Sequence, residues 1–228
     1  MCDHPAVHRA AVKECQFFDR YFDSEFSTAD VCSYQRQFPR PPGCVTGEWS
    51  PRYMHDFWTA PLLRKAAPDA KILVLLRDPL ERYLSGLRHE FASLKRTVRR
   101  RRRRYVRAME ANDALERSLY GQQLARLFAW FDRPQVLVLQ YERCRQAPAT
   151  ELRRTYEFLG VDPPGHLPAF VDQRAGRSYS PITVADEAVH EARRAILEDA
   201  VSLHALVPDI DLDLWPSCRD RAPSRSSG

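Results

Sequence analysis

Lys71-Ile72-Leu73-Val74-Leu75-Leu76-Arg77-Asp78-Pro79-Leu80-Glu81-Arg82-Tyr83-Leu84-Ser85 is the stretch that decides the fold. Ile72 to Leu76 is continuously apolar, the pattern of a strand buried on both faces of a parallel sheet. Asp78 then offers an N-cap, Pro79 suits the first helical position, and Glu81 completes a capping-box-like pattern. Leu80, Tyr83, Leu84, Leu87, Phe91 and Leu94 recur at helical spacing. Strand, two-residue turn and helix make one β-α unit.

Working outward, Ala11 to Phe18 predicts a short strand running into a loop. Val45 to Ser50 predicts a second strand, after the breaker run Pro39-Arg40-Pro41-Pro42-Gly43. Residues 57–67 read as a helix ending before Pro68. A helix over about 113–131 places Leu115, Leu119, Leu124, Leu127, Phe128 and Phe131 inward. Asp132-Arg133-Pro134 turns the chain into a buried strand, Val136 to Leu139. A helix near 148–159 stops at Gly160, a long loop covers 161–182, and a last helix covers about 184–206. Strands alternating with helices predict an α/β fold with a mainly parallel central sheet flanked by helices. One domain is expected over 1–215, with a polar, disordered tail over 216–228.

The 228 residues are 44% hydrophobic and 29% charged, which suits a globular chain and excludes wholesale disorder. Eight Gly against 17 Pro exclude collagen-like and Gly-linker readings. The formal charge is +5, and only four of the 35 basic residues are Lys (Lys13, Lys65, Lys71 and Lys95). Arg suits bidentate capture of phosphate, sulfate and carboxylate. A membrane span needs about 20 apolar residues and none is present. Met1-Cys2-Asp3-His4-Pro5 is no signal peptide, so a cytoplasmic chain with reduced thiols is expected. The six Cys form no Cys-x-x-Cys pair, against a zinc ribbon; a Cys15–Cys32 or Cys32–Cys44 disulfide stays open. His4 and His8 lack a third ligand nearby, so no metal is expected. There is no Gly-x-Ser-x-Gly elbow and no Gly-x-Gly-x-x-Gly, so hydrolase and dinucleotide readings have no support.

In open parallel sheets, ligands bind beyond the carboxyl ends of the strands, and the next helix turn offers N–H groups to anions. Arg77 stands at such a strand end and Ser85 on the helix that follows. A guanidinium and a hydroxyl there make a phosphate site; the alternative is that Arg77 pairs with Asp78 or Glu81. The 71–85 stretch resembles the 3′-phosphate-binding motif of sulfotransferases that use 3′-phosphoadenosine 5′-phosphosulfate (PAPS). The likeness is to the heparan-sulfate and related carbohydrate group, bacterial members included. Lys13-Glu14-Cys15-Gln16-Phe17-Phe18-Asp19 is similar to that group's Lys-Glu-x-x-Phe-Phe segment. Gly47-Glu48-Trp49-Ser50-Pro51-Arg52-Tyr53 resembles its Glu-Lys-Ser/Thr-Pro-x-Tyr segment. Val136 to Glu142, and Phe158-Leu159-Gly160, match its later strand and helix. The resemblance covers roughly 4–215, and the joint order of the segments makes it specific.

That resemblance implies a P-loop NTPase-like fold and transfer of a sulfuryl group from PAPS to a hydroxyl or amine. It implies that Arg77 and Ser85 hold the 3′-phosphate and that Glu14 takes the acceptor's proton; on the residues alone, Glu14 reads as a salt bridge to Lys13 or an Arg. Lys13 is a candidate for stabilising charge near the transferring group. Arg174-Ala175-Gly176-Arg177 falls where the family has a basic Gly-containing loop over the nucleotide, so Arg174, Gly176 and Arg177 are nucleotide-binding candidates, with Ala175 where a Lys is usual. Trp49 replaces the usual Lys of the substrate segment, and an aromatic there can stack on a sugar or another ring. The family's first strand and its Lys/Arg-x-Gly-Thr-Thr-like 5′-phosphosulfate loop have no counterpart here. The chain is therefore expected to be weak or inactive as an enzyme.

The acceptor is expected to be a carbohydrate or a small-molecule hydroxyl. A competing reading is a non-catalytic remnant that binds nucleotide or an anionic glycan. The run Arg99 to Arg104 is expected to be an exposed insertion, since consecutive cations repel. It offers a docking surface for an acidic acceptor or membrane as an alternative. Nucleic acid is disfavoured because no aromatic platform or known nucleic-acid module accompanies the run.

Overall fold

The computed structural model describes residues 4–10, 12–97, 113–165 and 184–219. Its elements in order are β1 (Val7–Arg9), α1 (Thr28–Gln35), β2 (Val45–Gly47), α2 (Thr59–Ala66), β3 (Ile72–Leu76), α3 (Pro79–Thr97), α4 (Tyr120–Phe128), β4 (Val136–Gln140), α5 (Tyr141–Gln146), α6 (Pro148–Leu159) and α7 (Asp186–Leu206). Strands β1 and β2 pair in parallel, Val7 opposite Val45 and Arg9 opposite Gly47. Strands β3 and β4 pair in a second two-stranded sheet. The chain divides into two compact units, residues 1–75 with 125–173, and 76–124 with 174–228.

The first unit is built on aromatic rings. Phe17, Phe18, Tyr21, Phe26 and Tyr34 are buried together with Ala66. Phe18 lies 4.8 Å from Tyr34 and 5.2 Å from Tyr53, ring centre to ring centre. The Trp58 indole N–H donates to the Phe18 carbonyl at 3.1 Å. Helix α1 lacks a strong apolar stripe and is held by its start: Asp30 N–H donates to Ser27 Oγ, and Ser27 N–H donates back to Asp30 Oδ2. That is a capping box. Helix α6 stops at Gly160, whose φ of 75° is the left-handed conformation that glycine adopts without penalty. His4 stacks on Tyr156, ring centres 4.9 Å apart.

The second unit is built on α3 and α7. Tyr83, Leu87, Ala114 and Ala192 form its buried cluster, with Leu80, Leu84 and Val184 packed against it. The N-terminus of α4 is closed from a distance. Gly121 N–H and Gln122 N–H donate to the two carboxylate oxygens of Asp199, on α7, at 2.7 and 3.0 Å. A Cβ at Gly121 would meet the Asp199 carbonyl at 2.7 Å, so the approach requires glycine.

Several expectations change. The first strand is Val7–Arg9, ahead of the predicted span, and 12–18 is turn and loop. Helices α1 and α5 have no counterpart in the sequence reading. The helix read over 113–131 is interrupted at 117–119, and α4 starts at Tyr120. Strand β3 is buried on one face only: Val74 and Leu76 face inward while Leu75 is 48% exposed. β4, its partner in the same sheet, is by contrast buried along nearly its whole length. Ser217 and Cys218, placed in the polar tail, are buried. Cys15, Cys32, Cys44, Cys144 and Cys218 are all thiols, so neither of the two open disulfides forms. The Arg99–Arg104 run and most of the loop at 161–182 lie outside the described residues.

Candidate active site

Arg77 and Ser85 belong to the second unit. Arg77 follows β3 directly and is half-buried, and Ser85 is half-buried on α3. Asp78, only 2% exposed, fixes this corner. Its Oδ1 accepts from Leu80 N–H at 2.9 Å and Glu81 N–H at 3.0 Å, and its Oδ2 accepts from Ser217 N–H at 3.0 Å. The cap predicted from sequence is therefore real, with a consequence for anion binding. The N–H groups of Leu80 and Glu81 are already occupied by a carboxylate, so capture of an anion here falls to side chains.

Those side chains carry concentrated positive charge. Arg82 donates to the Ala114 carbonyl at 3.1 Å. Burial lowers its pKa to about 10, helped by the neighbouring guanidiniums of Arg117 and Arg77 and opposed by Tyr120 and Asp113. Among the described residues Arg77 forms no ion pair, with Asp78, Glu81 or any other acid. Arg117 is paired with Asp113 at 2.6 Å, which leaves the guanidiniums of Arg77 and Arg82, at the first turns of one helix, to favour an anion nearby. Arg82 escaped the sequence reading, although its place five residues after Arg77 was the available signal.

Glu14 and Lys13 belong to the first unit, on a turn after β1. They pair with each other, Lys13 Nζ 3.3 Å from a Glu14 carboxylate oxygen, with side chains 82% and 39% exposed. An exposed pair of this kind contributes under about 1 kcal/mol. Glu14 and Gln16 both have left-handed backbone, φ 54° and 47°. Each costs a non-glycine residue of order 1–2 kcal/mol, so surrounding contacts must hold the turn. They do so on both sides. Cys15 Sγ donates to Glu48 Oε2 at 2.7 Å, and Phe17 N–H donates to the Tyr53 hydroxyl at 2.7 Å.

Glu48 gathers further donors: Ser50 Oγ at 2.6 Å on Oε2 and the Tyr34 hydroxyl at 2.7 Å on Oε1. Burial, then Glu48, pushes up the pKa of Cys15, and the same two causes push up Tyr34 and Tyr53. Sequence reasoning missed this constellation; no local pattern links Glu48 to a thiol 33 residues earlier. Trp49, beside Glu48, is 58% exposed. Arg174, Gly176 and Arg177 lie outside the described residues. No group of three or more His, Cys, Asp or Glu side chains suited to a metal ion occurs among the described residues. No described helix is long and apolar enough to cross a membrane.

Heparan sulfate glucosamine 3-O-sulfotransferase 3B1 of Mus musculus is 30% identical over 168 residues, covering 69% of this chain and 40% of that protein. The membrane-associated sulfotransferase kil1 of Dictyostelium discoideum is 31% identical over 97 residues, covering 41% of this chain and 20% of that protein. The chain thus spans less than half the length of these curated relatives. The crystal structure of a sulfotransferase from Alicyclobacillus acidocaldarius superposes with a TM-score of 0.70 at 24% identity, covering 94% of this chain and 90% of that one. That likeness shows the expected α/β, P-loop-like fold. The profile of the Sulfotransferase family matches residues 3–164. The charged corner of α3 and the turn bearing Glu14 are therefore two parts of a chain that belongs to the sulfotransferase family.

Proposed function

We propose that the protein transfers a sulfuryl group from PAPS to an acceptor hydroxyl or amine. The observation that carries this reading is the charge around α3. Arg77 stands beside Arg82 and forms no ion pair among the described residues, its chain neighbour Asp78 accepts from backbone N–H groups, and the Asp113 carboxylate is paired with Arg117. A dianionic phosphate fits such a place, because guanidinium–phosphate pairs are strong and directional. Arg77 and Ser85 hold the 3′-phosphate in this reading. Arg174, Gly176 and Arg177 complete the nucleotide contacts.

PAPS, when bound, supplies the sulfuryl group and a phosphate leaving group. The chain's own residues do the rest. Glu14 accepts the proton of the acceptor hydroxyl, which makes its oxygen the better nucleophile as the proton leaves. Its exposure of 39% leaves the carboxylate accessible. Lys13, 3.3 Å from Glu14, adds positive charge beside the transferring group. The acceptor is a carbohydrate or a small hydroxyl compound, and the exposed Trp49 ring offers it a stacking surface.

Calorimetry with 3′,5′-adenosine diphosphate tests the nucleotide half. Loss of one charge-assisted contact in Arg77→Ala should weaken binding about 10- to 100-fold. An unchanged Kd removes the assignment. Transfer of labelled sulfate from PAPS to a panel of glycans and phenols tests the other half.

A further inference from the structure

Glu48 is a half-buried carboxylate held by three neutral donors from three places in the chain: Cys15, Tyr34 and Ser50. Among the described residues no cation pairs with it. Its two oxygens are occupied, which suits an anchor and not a proton acceptor. Nearby, the Tyr53 hydroxyl accepts from Phe17 N–H and lies 3.9 Å from Cys15 Sγ. The two left-handed residues, Glu14 and Gln16, flank the pinned Cys15.

We propose that Glu48, through Cys15, and Tyr53, through Phe17, latch the left-handed turn that presents Glu14, and so act as positioning residues for it. The functional part rests on reading Glu14 as the base. A thiol serves as the donor because burial and Glu48 both keep it protonated at neutral pH. The aromatic cluster behind it supplies rigidity: Phe17 and Phe18, next along the chain, are both buried. Without the two anchors, a left-handed Glu and Gln relax to the ordinary regions of backbone space.

The test uses the full chain and four variants: Glu48→Gln, Cys15→Val, Cys15→Ser and Glu14→Gln. In Glu48→Gln and Cys15→Val, the Phe17 amide should exchange with solvent about tenfold faster or more. The Glu14 and Gln16 amide-to-Hα couplings should also leave the left-handed range. In both variants kcat should fall about 10- to 100-fold, because a displacement of the order of 1 Å costs about that much. KM for PAPS should stay within about twofold of wild type. Cys15→Ser, which keeps a donor for Glu48, should restore exchange, couplings and kcat.

Unchanged exchange and couplings in both disrupting variants overturn the latch. So does faster exchange with an unchanged kcat, or a Cys15→Ser chain as damaged as Cys15→Val. If Glu48→Gln does not fold, Cys15→Val, which keeps the carboxylate, decides alone. A Glu14→Gln chain with wild-type kcat defeats the base reading instead, and a wild type too weak to assay, as expected where the 5′-phosphosulfate loop has no counterpart, removes kcat as a readout. Exchange and couplings then judge the latch by themselves, since neither needs catalysis.

Discussion

The turn bearing Glu14 and the corner bearing Arg77 present charge in opposite ways. At Arg77 the backbone is regular: a strand, two residues and a capped helix, with Asp78 satisfying Leu80, Glu81 and Ser217. At Glu14 the backbone is strained at two residues and is held from outside by Glu48 and Tyr53. The first region is stiff because its local rules agree with one another. The second is stiff only while distant side chains hold it. Stripping the polar supports should therefore cost mainly stability at Arg77 and mainly orientation at Glu14, whereas emptying the aromatic core beneath the Glu14 turn costs stability there too.

The largest loss is expected from the support beneath the Glu14 turn. Phe18 is fully buried against Tyr34, Phe26 and Tyr53, so Phe18→Ala should cost about 3–5 kcal/mol in urea unfolding. Asp78→Ala removes a helix cap and orphans the buried Ser217 N–H, for about 2–4 kcal/mol in the same measurement. A loss as small as that of an ordinary exposed cap would mean that Ser217 finds another acceptor. Tyr53→Phe deletes the acceptor for Phe17 N–H together with the hydroxyl's contact to Cys15 Sγ, and should cost about 1–2 kcal/mol, with a larger effect on turnover than on the melting temperature.

The smallest effect is a pH dependence at the start of α1, in the unit that also holds the Glu14 turn. Hydrogen bonds from Ser27, then Tyr21, hold the Asp30 carboxyl down at about 2. A depressed carboxyl contributes stability above its unfolded value of 3.8 and loses it as pH falls toward about 2. Asp30→Asn should flatten the stability profile across that window and leave it unchanged near pH 7 apart from a constant offset. A profile that keeps its slope would assign the acid sensitivity elsewhere.

The same contrast decides what the sequence discloses. The Asp-Pro-x-Glu signal marks the start of α3 to the residue, because strand, cap and helix period are all local. Helix α6 and its Gly160 stop are legible for the same reason. The α1 start carried a local signal too, Ser27 three residues before Asp30, but weak apolar periodicity behind it hid the helix. The Glu14 turn carried none: neither Glu nor Gln announces a positive φ, and the holding groups arrive 33 and 36 residues later. Family resemblance pointed to Glu14, Arg77 and Ser85 as site residues, and took in Glu48, Tyr53 and Arg82 within its matching segments without giving them roles. Those depend on which side chains the fold brings together.

The cap that Asp199 places on α4 has a consequence in time. A helix beginning at Tyr120 is nine residues long, too short to persist alone in water. The groups that close its first turn lie 78 residues further along the chain. During synthesis α4 therefore lacks this cap until α7 has emerged and docked, so the contact forms late.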